Sequence, residues 1–246
     1  MLDALVYRFV VKNRFHVPEL PPPGESVELT GDEFHHAVRV HRSREGEEVE
    51  LFDGRGGCAE GVIREVGKSS ARVEILAPLG ISRESALELT LAMALIQMER
   101  FELVLQKATE LGVRRIIPMT TERTEIRAGR AAGRHGRWEK IVMEAVKQCG
   151  RSMVPAVEEI TSFDAVLALA IPKVLFESDL PPGVLGVSSG ELAAMVGPEG
   201  GWSPDELQRA LDRGCIPRSL GPRRLRAETA AIAGLSLLQS SLGDLG

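Results

Sequence analysis

The 246-residue sequence is poor in cysteine and in long apolar runs, and each shortage excludes a class of protein. The three cysteines, Cys58, Cys149 and Cys215, lie far apart and form no CxxC pair, so neither a disulfide framework nor a zinc site is predicted. No segment approaches the roughly 18 consecutive apolar residues that span a bilayer. Asp3 and Arg8 interrupt the N-terminal stretch, and no cleavage site follows it. We therefore expect a cytoplasmic protein without a membrane partner.

The sequence also lacks an excess of positive charge. Thirty basic and 35 acidic residues give a formal net charge of −5, which argues against coating nucleic acid through bulk charge. Among the basic residues, 24 are arginine and six are lysine. Arginine is the better side chain for bidentate phosphate contacts, although codon bias produces the same ratio. With 43% hydrophobic residues, the chain has an ordinary globular composition.

The first 80 residues differ in pattern from the rest. Short alternating segments separated by Gly, Pro and polar clusters predict strands at 26–29, 48–52, 57–64 and 71–76, and hence a small β-barrel. After 78–85, apolar strand-like runs alternate with helical periodicities, which is typical of an α/β fold. We predict two domains, 1–80 and 81–246.

The second domain is predicted to alternate strands and helices. The apolar run 87–96 is a buried strand, and the helix that follows ends at Gly112. A second apolar stripe predicts a helix over 138–149, closed by Gly150. Further strands are predicted at 116–120, 174–177, 193–196 and 216–220, and further helices at 163–170, 205–212 and 228–242.

A glycine-rich loop, GPEGG at 197–201, joins a strand directly to a helix start. Ser203, Pro204 and Glu206 form a capping box at that start. Asp205 and Glu206 place negative charge where a phosphate would meet the helix N-terminus, so a phosphate cradle is disfavoured. A ligand without phosphate fits the loop better, and a tight turn without a ligand remains the alternative.

A second loop, LGPRRLRAET at 220–229, precedes the final helix and has four arginines and no acid between Pro217 and Ala227. Basic residues at a helix N-terminus oppose the macrodipole and cost some stability. Such local inconsistency tends to mark function. Two Gly-Pro loops at the ends of neighbouring strands therefore predict one shared site.

Basic residues are concentrated elsewhere too. Ten of them lie in 114–151 against four acids, and smaller clusters lie at 8–14 and 39–44. Such patches can hold a polyanion on an acidic protein, although most charge runs are solvated helix faces. The nearby His35, His36 and His41 lack ligand spacing, so no metal is predicted. We expect a nucleic-acid partner.

Several segments resemble one family when taken in order. VGPEGGWSPDE at 196–206 and LGPRRLRAETAAIAGLSLLQ at 220–239 are similar to the signature loops of RsmE-type 16S rRNA (uracil-N3) methyltransferases. LQKATELGV at 105–113, WEKIVMEAVKQCGRSMVP at 138–155 and HHAVRVHR at 35–42 support the resemblance. It implies a PUA-like barrel that binds RNA, followed by a SPOUT domain whose C-terminal part forms a deep trefoil knot. It also implies S-adenosylmethionine (SAM) as methyl donor and a homodimer.

The resemblance assigns roles to residues at matching positions. The implied cofactor-binding residues are Leu175, Phe176, Glu177, Gly197, Pro198, Glu199, Gly200, Gly201, Leu220, Gly221, Leu225, Arg226 and Ala227. Methylation at N3 of uracil needs a base for the N3 proton and stabilisation of the charge that spreads onto O2 and O4. Arg226 is the candidate for charge stabilisation, and Glu228 or Glu199 for the base.

The expected substrate is 16S rRNA, in an assembled small subunit. The candidate RNA-binding residues are Arg8, Arg14, Arg39, Arg42, Arg123, Arg151 and Arg223. Two alternatives stay open: a non-catalytic RNA-binding assembly protein that has lost the cofactor, and a related knotted methyltransferase that acts on tRNA.

Overall fold

A computed structural model describes residues 13–80, 82–126, 128–178 and 190–246. The chain divides into two compact units. The first unit runs to Arg83 and includes a returning segment, Gly150–Met153, while the second holds Glu84–Cys149 and Val154–Gly246. The return is not foreseen from the sequence. It is fastened by a hydrogen bond from the Gly56 amide to the carbonyl oxygen of Ser152 at 3.1 Å.

The first unit is built on one five-stranded sheet. Its strand order is β1-β3-β4-β5-β2, with β1 parallel to β3 and the other pairs antiparallel. In β5 the buried residues Ala71, Val73 and Ile75 alternate with more exposed ones, as the sequence pattern predicts. The strands are β1 Arg14–His16, β2 Ser26–Thr30, β3 Glu48–Phe52, β4 Cys58–Val66 and β5 Ser70–Pro78.

A helical segment follows β2 that the sequence analysis missed. The short helix α1 Gly31–His35 continues into a π-helical turn, His36–Val40. The rings of His36 and His41 pack edge-on, with 4.6 Å between their centroids, and both contact Phe15. The segment is too short to show helical periodicity, and tertiary packing holds it.

The second unit contains a seven-stranded sheet in which every neighbouring pair is parallel. Its order is β12-β10-β11-β6-β7-β8, and β9 also pairs with β7. The strands are β6 Glu88–Ala94, β7 Arg115–Thr120, β8 Ala156–Val157, β9 Thr161–Ser162, β10 Lys173–Phe176, β11 Glu191–Val196 and β12 Ile216–Arg218.

Helices cover both faces of this sheet. One buried cluster joins Leu91 and Met93 to α2, α4 and α7, and the other joins Ala92 and Met195 to α5 and α6. Burial on both faces explains why 87–96 is continuously apolar rather than alternating. The helices are α2 Met98–Glu110, α3 Ala128–Ala132, α4 His135–Cys149, α5 Phe163–Leu167, α6 Pro204–Asp212 and α7 Ala227–Leu242.

The predicted helix ends at Gly112 and Gly150 are confirmed. Both glycines have left-handed backbone, with φ of 77° and 83°. Gln239 of α7 donates a hydrogen bond from Nε2 to the carbonyl oxygen of Leu111 at 2.8 Å, which satisfies a terminal carbonyl of α2.

Within the described ranges, every helix is too short or too polar to span a bilayer. The same ranges hold no group of three or more His, Cys, Asp or Glu side chains arranged for a metal ion.

Candidate functional site

A cleft of about 320 Å³ lies in the second unit at the carboxyl ends of β10 and β11. Ligands of open α/β sheets commonly bind at this edge. Three chain segments form it, namely the residues that end β10, the glycine loop between β11 and α6, and the segment that leads into α7. The lining residues are Phe176, Glu177, Ser178, Val196, Gly197, Pro198, Glu199, Gly201, Trp202, Leu220, Gly221, Arg223, Arg224, Leu225, Arg226, Ala227 and Ala230.

The glycine loop packs closely against the structure on its inner side. Trp202 is buried and donates from Nε1 to the carbonyl oxygen of Phe176 at 3.0 Å, which ties the loop to β10. A Cβ at Gly197 would approach the Trp202 ring to 3.1 Å. Gly201 has φ of 70°, a conformation that favours glycine. Gly197 and Gly201 therefore permit the close packing and the backbone conformation of the loop. Because they lack side chains, they also leave backbone amide and carbonyl groups open to a ligand.

The predicted capping box at the start of α6 is confirmed, and its glutamate has a second function. Glu206 is 1% exposed. Its Oε2 accepts from the Ser203 amide at 2.9 Å, and its Oε1 accepts from the Glu122 amide at 2.8 Å. Arg123 donates to the carbonyl oxygen of Gly200 at 3.0 Å. The turn after β7 is thus bonded to the glycine loop at Gly200 and to the first turn of α6 at Glu206.

Most of the residues expected to bind the cofactor meet in this cleft. Two do not line it. Leu175 points into the core beneath α5 and α6, because neighbouring residues of a strand face opposite sides of the sheet. Gly200 lies against Arg123. The sequence analysis missed four lining residues, namely Ser178, Val196, Trp202 and Ala230, whereas Arg224 lies within the loop 220–229 that it assigned to the site.

The two walls of the cleft carry opposite charges. Arg223, Arg224 and Arg226 lie in the segment before α7, and their side chains have no hydrogen bond or ion pair with any described residue. Glu177 and Glu199 lie on the other segments. The exposed arginines are free to meet an anionic group that approaches from outside.

The three candidate catalytic residues lie in different positions. Arg226 is the N-cap residue of α7 and lines the cleft. Glu199 also lines the cleft, with 42% of its side chain exposed. Glu228 is not among the lining residues, and its side chain is only 12% exposed. The sequence analysis also missed Arg100 of α2, which contacts both glutamates.

The arginines expected to bind RNA fall into three groups. Arg8 lies outside the described residues. Arg39, Arg42, Arg123 and Arg223 are exposed.

Arg14 and Arg151 are buried and correct the expectation for those two positions. Arg14 donates from Nε to Glu50 at 2.6 Å and stacks on Phe52, so its charge is used inside the first unit. Arg151 is 3% exposed within the returning segment. Arg14 and Arg151 are therefore not assigned to an RNA-binding surface.

The basic stretch 114–151 is less positive than its own sequence indicates. Acids from elsewhere in the chain pair with several of its arginines. Arg134 and Arg137 both bind Glu102 of α2, and the bond to Arg137 holds the pKa of Glu102 below its usual range. A count along the sequence does not include such partners.

Two family descriptions match the chain. The RNA methyltransferase domain covers residues 83–239 and the RNA methyltransferase PUA domain covers residues 29–76. The class of protein is therefore an RNA methyltransferase with a PUA domain and an α/β domain built on a parallel sheet.

Individual relatives narrow this class. Ribosomal RNA small subunit methyltransferase E of Mycobacterium bovis is 33% identical over 233 residues, covering 90% of this chain and 88% of the relative. The crystal structure of a protein of that name from Neisseria gonorrhoeae, bound to S-adenosyl methionine, is 34% identical with a TM-score of 0.89, and covers 96% of this chain and 100% of its own. A methyltransferase structure from Legionella pneumophila with bound SAM is 34% identical with a TM-score of 0.88, and covers 95% and 99%. The chain belongs to the family of ribosomal RNA small subunit methyltransferase E.

Proposed function

We propose that this protein methylates N3 of a specific uridine in 16S rRNA of the small ribosomal subunit, with SAM as the methyl donor. The main observation behind this proposal is the cleft that three separate segments form at the carboxyl ends of β10 and β11. Its position and lining support the proposal together with the similarity to relatives that hold SAM.

The residues of the cleft fit SAM. The cleft has a volume of about 320 Å³, which lies within the range of small-molecule sites, about 300–1,000 Å³. SAM carries a sulfonium cation and no phosphate, so the carboxylates of Glu177 and Glu199 are compatible neighbours. The open backbone of the glycine loop would provide amides and carbonyls for the adenine and ribose, with the side of Phe176 as an apolar wall. When bound, SAM supplies an electrophilic methyl group.

The residues of the chain would provide the remaining chemistry. Glu199 lines the cleft, and one of its oxygens has no hydrogen bond to a described residue, so it is placed to accept the N3 proton. Arg226, on the opposite wall, would stabilise the negative charge on the uracil oxygens. Glu199 is favoured over Glu228 as the base because Glu228 faces α2 rather than the cleft.

RNA binding would involve both domains, 1–80 and 81–246. Arg123 and Arg223 would hold the backbone near the cleft, while Arg39 and Arg42 would hold it on the PUA-like domain. Arg42 has φ of 55°, an uncommon conformation for a residue other than glycine, and it follows the π-helical turn. Both features occur often at functional sites.

The C-terminal segments of the second domain would form a deep trefoil knot, and two copies of the chain would form a homodimer. The strand order, in which β12 lies beside β10 and β11 returns beside β6, supports the knotted topology. Leu103 of α2 and Leu237 of α7 are 41% and 42% exposed on neighbouring helices, and a second copy would cover them.

The test uses small subunits from cells that lack this modification. The subunits, deproteinised 16S rRNA and tRNA are incubated separately with the protein and SAM, and the nucleosides are analysed by mass spectrometry. We expect 3-methyluridine in the rRNA. A methylated nucleoside in tRNA alone would favour a tRNA enzyme, and no heat on titration with SAM would favour a non-catalytic RNA-binding protein.

A further inference from the structure

Arg100 lies in the first turn of α2 and contacts two acidic side chains from distant parts of the chain. Its NH1 is 3.5 Å from Oε1 of Glu199, in the glycine loop. Its Nε is 3.8 Å from Oε1 of Glu228, in the first turn of α7. No other described residue makes a side-chain bond with Arg100. One guanidinium thus pairs with two carboxylates, and the chain segments that carry these carboxylates both contribute to the cleft.

The position of Arg100 follows from the packing of two helices. Contacts join the N-terminal ends of α2 and α7 through Arg100 and Glu228, and their C-terminal ends through Leu111 and Gln239. The two helices are therefore parallel neighbours. The N-terminal ends of both helices lie beside the glycine loop. There the long side chain of Arg100 reaches Glu199 in the glycine loop and Glu228 in the first turn of α7.

We propose that Arg100 is a positioning residue that sets the separation of Glu199 and Arg226. Arg100 holds Glu199 directly and holds Arg226 through Glu228, which lies two residues further along the same helix start. This inference rests on the proposed function, because it concerns the two side chains that would act on the uracil. Arg100 itself is absent from the lining of the cleft and would not touch the cofactor.

Local charge supports this role. The Glu228 side chain is largely buried, and its Oε2 has no hydrogen-bond partner among the described residues, so Arg100 is its main compensation together with the dipole of α7. Without Arg100, a buried carboxylate would lose its counter-charge and Glu199 would lose its only side-chain bond to a described residue. Both would move, and a shift of about 1 Å in a reacting group can cost up to about 100-fold in rate.

The experiment compares Arg100→Gln and Arg100→Lys with the control Arg137→Gln. Arg137 also makes an ion pair with α2, through Glu102, but it lies on α4 and is exposed. Steady-state kinetics would be measured with rRNA and SAM, and SAM affinity by calorimetry. We expect Arg100→Gln to lower kcat about 10- to 100-fold with SAM affinity changed less than threefold, Arg100→Lys to restore part of kcat, and Arg137→Gln to behave as wild type.

Two double variants separate positioning from a general loss of structure. In Arg100→Gln with Glu199→Gln, kcat should fall below that of Glu199→Gln alone by a smaller factor than Arg100→Gln causes in the wild type, because the part of the effect that acts through Glu199 is already lost. In Arg100→Gln with Glu228→Gln, the fall in Tm should be smaller than the sum of the single falls. This second measurement needs no reaction.

The outcomes also separate this inference from the proposed function. A wild-type protein that binds SAM but methylates no RNA overturns the proposed function, and the Tm values still test the contact. An active wild type in which Arg100→Gln is as fast as Arg137→Gln, or additive losses of Tm, overturns the role of Arg100.

Discussion

Glu199 and Glu228 are equal candidates for the base in the sequence, but they occupy different environments in the structure. Glu199 precedes α6, and Glu228 lies in the first turn of α7. Each comes after a Gly-Pro pair in the sequence. Only Glu199 lines the cleft, while the side chain of Glu228 is largely buried against α2. The difference arises because the glycine loop turns Glu199 outwards and the first turn of α7 directs Glu228 towards its neighbouring helix.

This difference predicts unequal effects of the same substitution. Glu199→Gln removes the proposed base and should lower kcat by about 10²–10⁴-fold. Glu228→Gln should keep kcat within about tenfold of wild type and should instead lower Tm, because a charge at a helix N-terminus is worth about 0.3–1 kcal/mol. Methyl transfer with both substrates saturating and thermal unfolding measure the two effects. A slow Glu228→Gln beside a fast Glu199→Gln would reverse the assignment.

At the scale of elements, the packing of α7 on β10 connects the core to the cleft. Gly234 of α7 lies directly over the ring of Phe176, and a Cβ there would be 2.5 Å from the ring carbon Cε2. Phe176 also lines the cleft. The helix can therefore approach the strand this closely only with glycine at position 234.

Gly234→Ala should displace Phe176, with a cost of about 1–3 kcal/mol for overpacking and weaker SAM binding. Gly136→Ala in α4 is the matched control, since a Cβ there meets nothing within 4 Å and alanine favours a helix by about 0.8–1.0 kcal/mol. Thermal unfolding and SAM calorimetry would compare the two variants. Unchanged SAM affinity and Tm in Gly234→Ala would contradict this packing of α7 on Phe176.

The sheet of the first unit contains a buried charge network. Burial raises the pKa of Glu50, but the hydrogen bond from Cys58 and the charges of Arg14 and Arg83 outweigh it, and the pKa is lowered overall. Burial and the bond to Glu50 raise the pKa of the Cys58 thiol to about 11, so it stays protonated and donates.

A lowered carboxylate pKa makes the first unit sensitive to acid. The stabilisation from Glu50 is fully present above the unfolded pKa of about 4.3 and is lost as the pH falls through the lower folded value. Hydrogen exchange of β3 and β4 amides between pH 3 and 6, corrected for intrinsic rates, should show falling protection towards acid. Glu50→Gln should flatten this dependence, whereas Glu65→Gln, in an exposed pair with Arg72, should retain it.

At the scale of the whole molecule, the distribution of charge matters more than its total. The net charge of −5 coexists with exposed arginines at the cleft that lack partners among the described residues. Four arginines of the 114–151 stretch pair with acids from other segments, namely Arg114, Arg115, Arg134 and Arg137. The proposed RNA surface is thus smaller than the sequence indicates and is concentrated at fewer positions.

RNA binding should therefore weaken steeply with salt, and its slope should depend on particular arginines. Removing one arginine that binds a phosphate should reduce the slope of log K against log salt by about 0.7–0.9. We expect this decrease for Arg42→Gln and Arg223→Gln, but no change for Arg137→Gln, because its charge is already paired with Glu102. Titrations of rRNA fragments at several salt concentrations measure it, and a flat response in wild type would exclude binding through phosphates.

The amino-acid sequence alone was sufficient to predict the longer strands and helices of the second domain and the two loops of the site, but it missed the short elements α3, β8 and β9. Periodicity, glycines at helix ends and the capping box are local signals, because they depend on residues within a few positions of one another. They sufficed to identify the glycine loop and the arginine-rich segment, and the resemblance of these segments to one family was correct.

Which side chains contact one another became known only from the three-dimensional fold. The burial of Arg14 and Arg151, the orientation of Leu175 away from the cleft, and the contact of Arg100 with Glu199 and Glu228 all depend on partners far away in the chain. Local patterns cannot specify such contacts, because charge pairing and the direction of a strand residue are set by whichever segment packs against them.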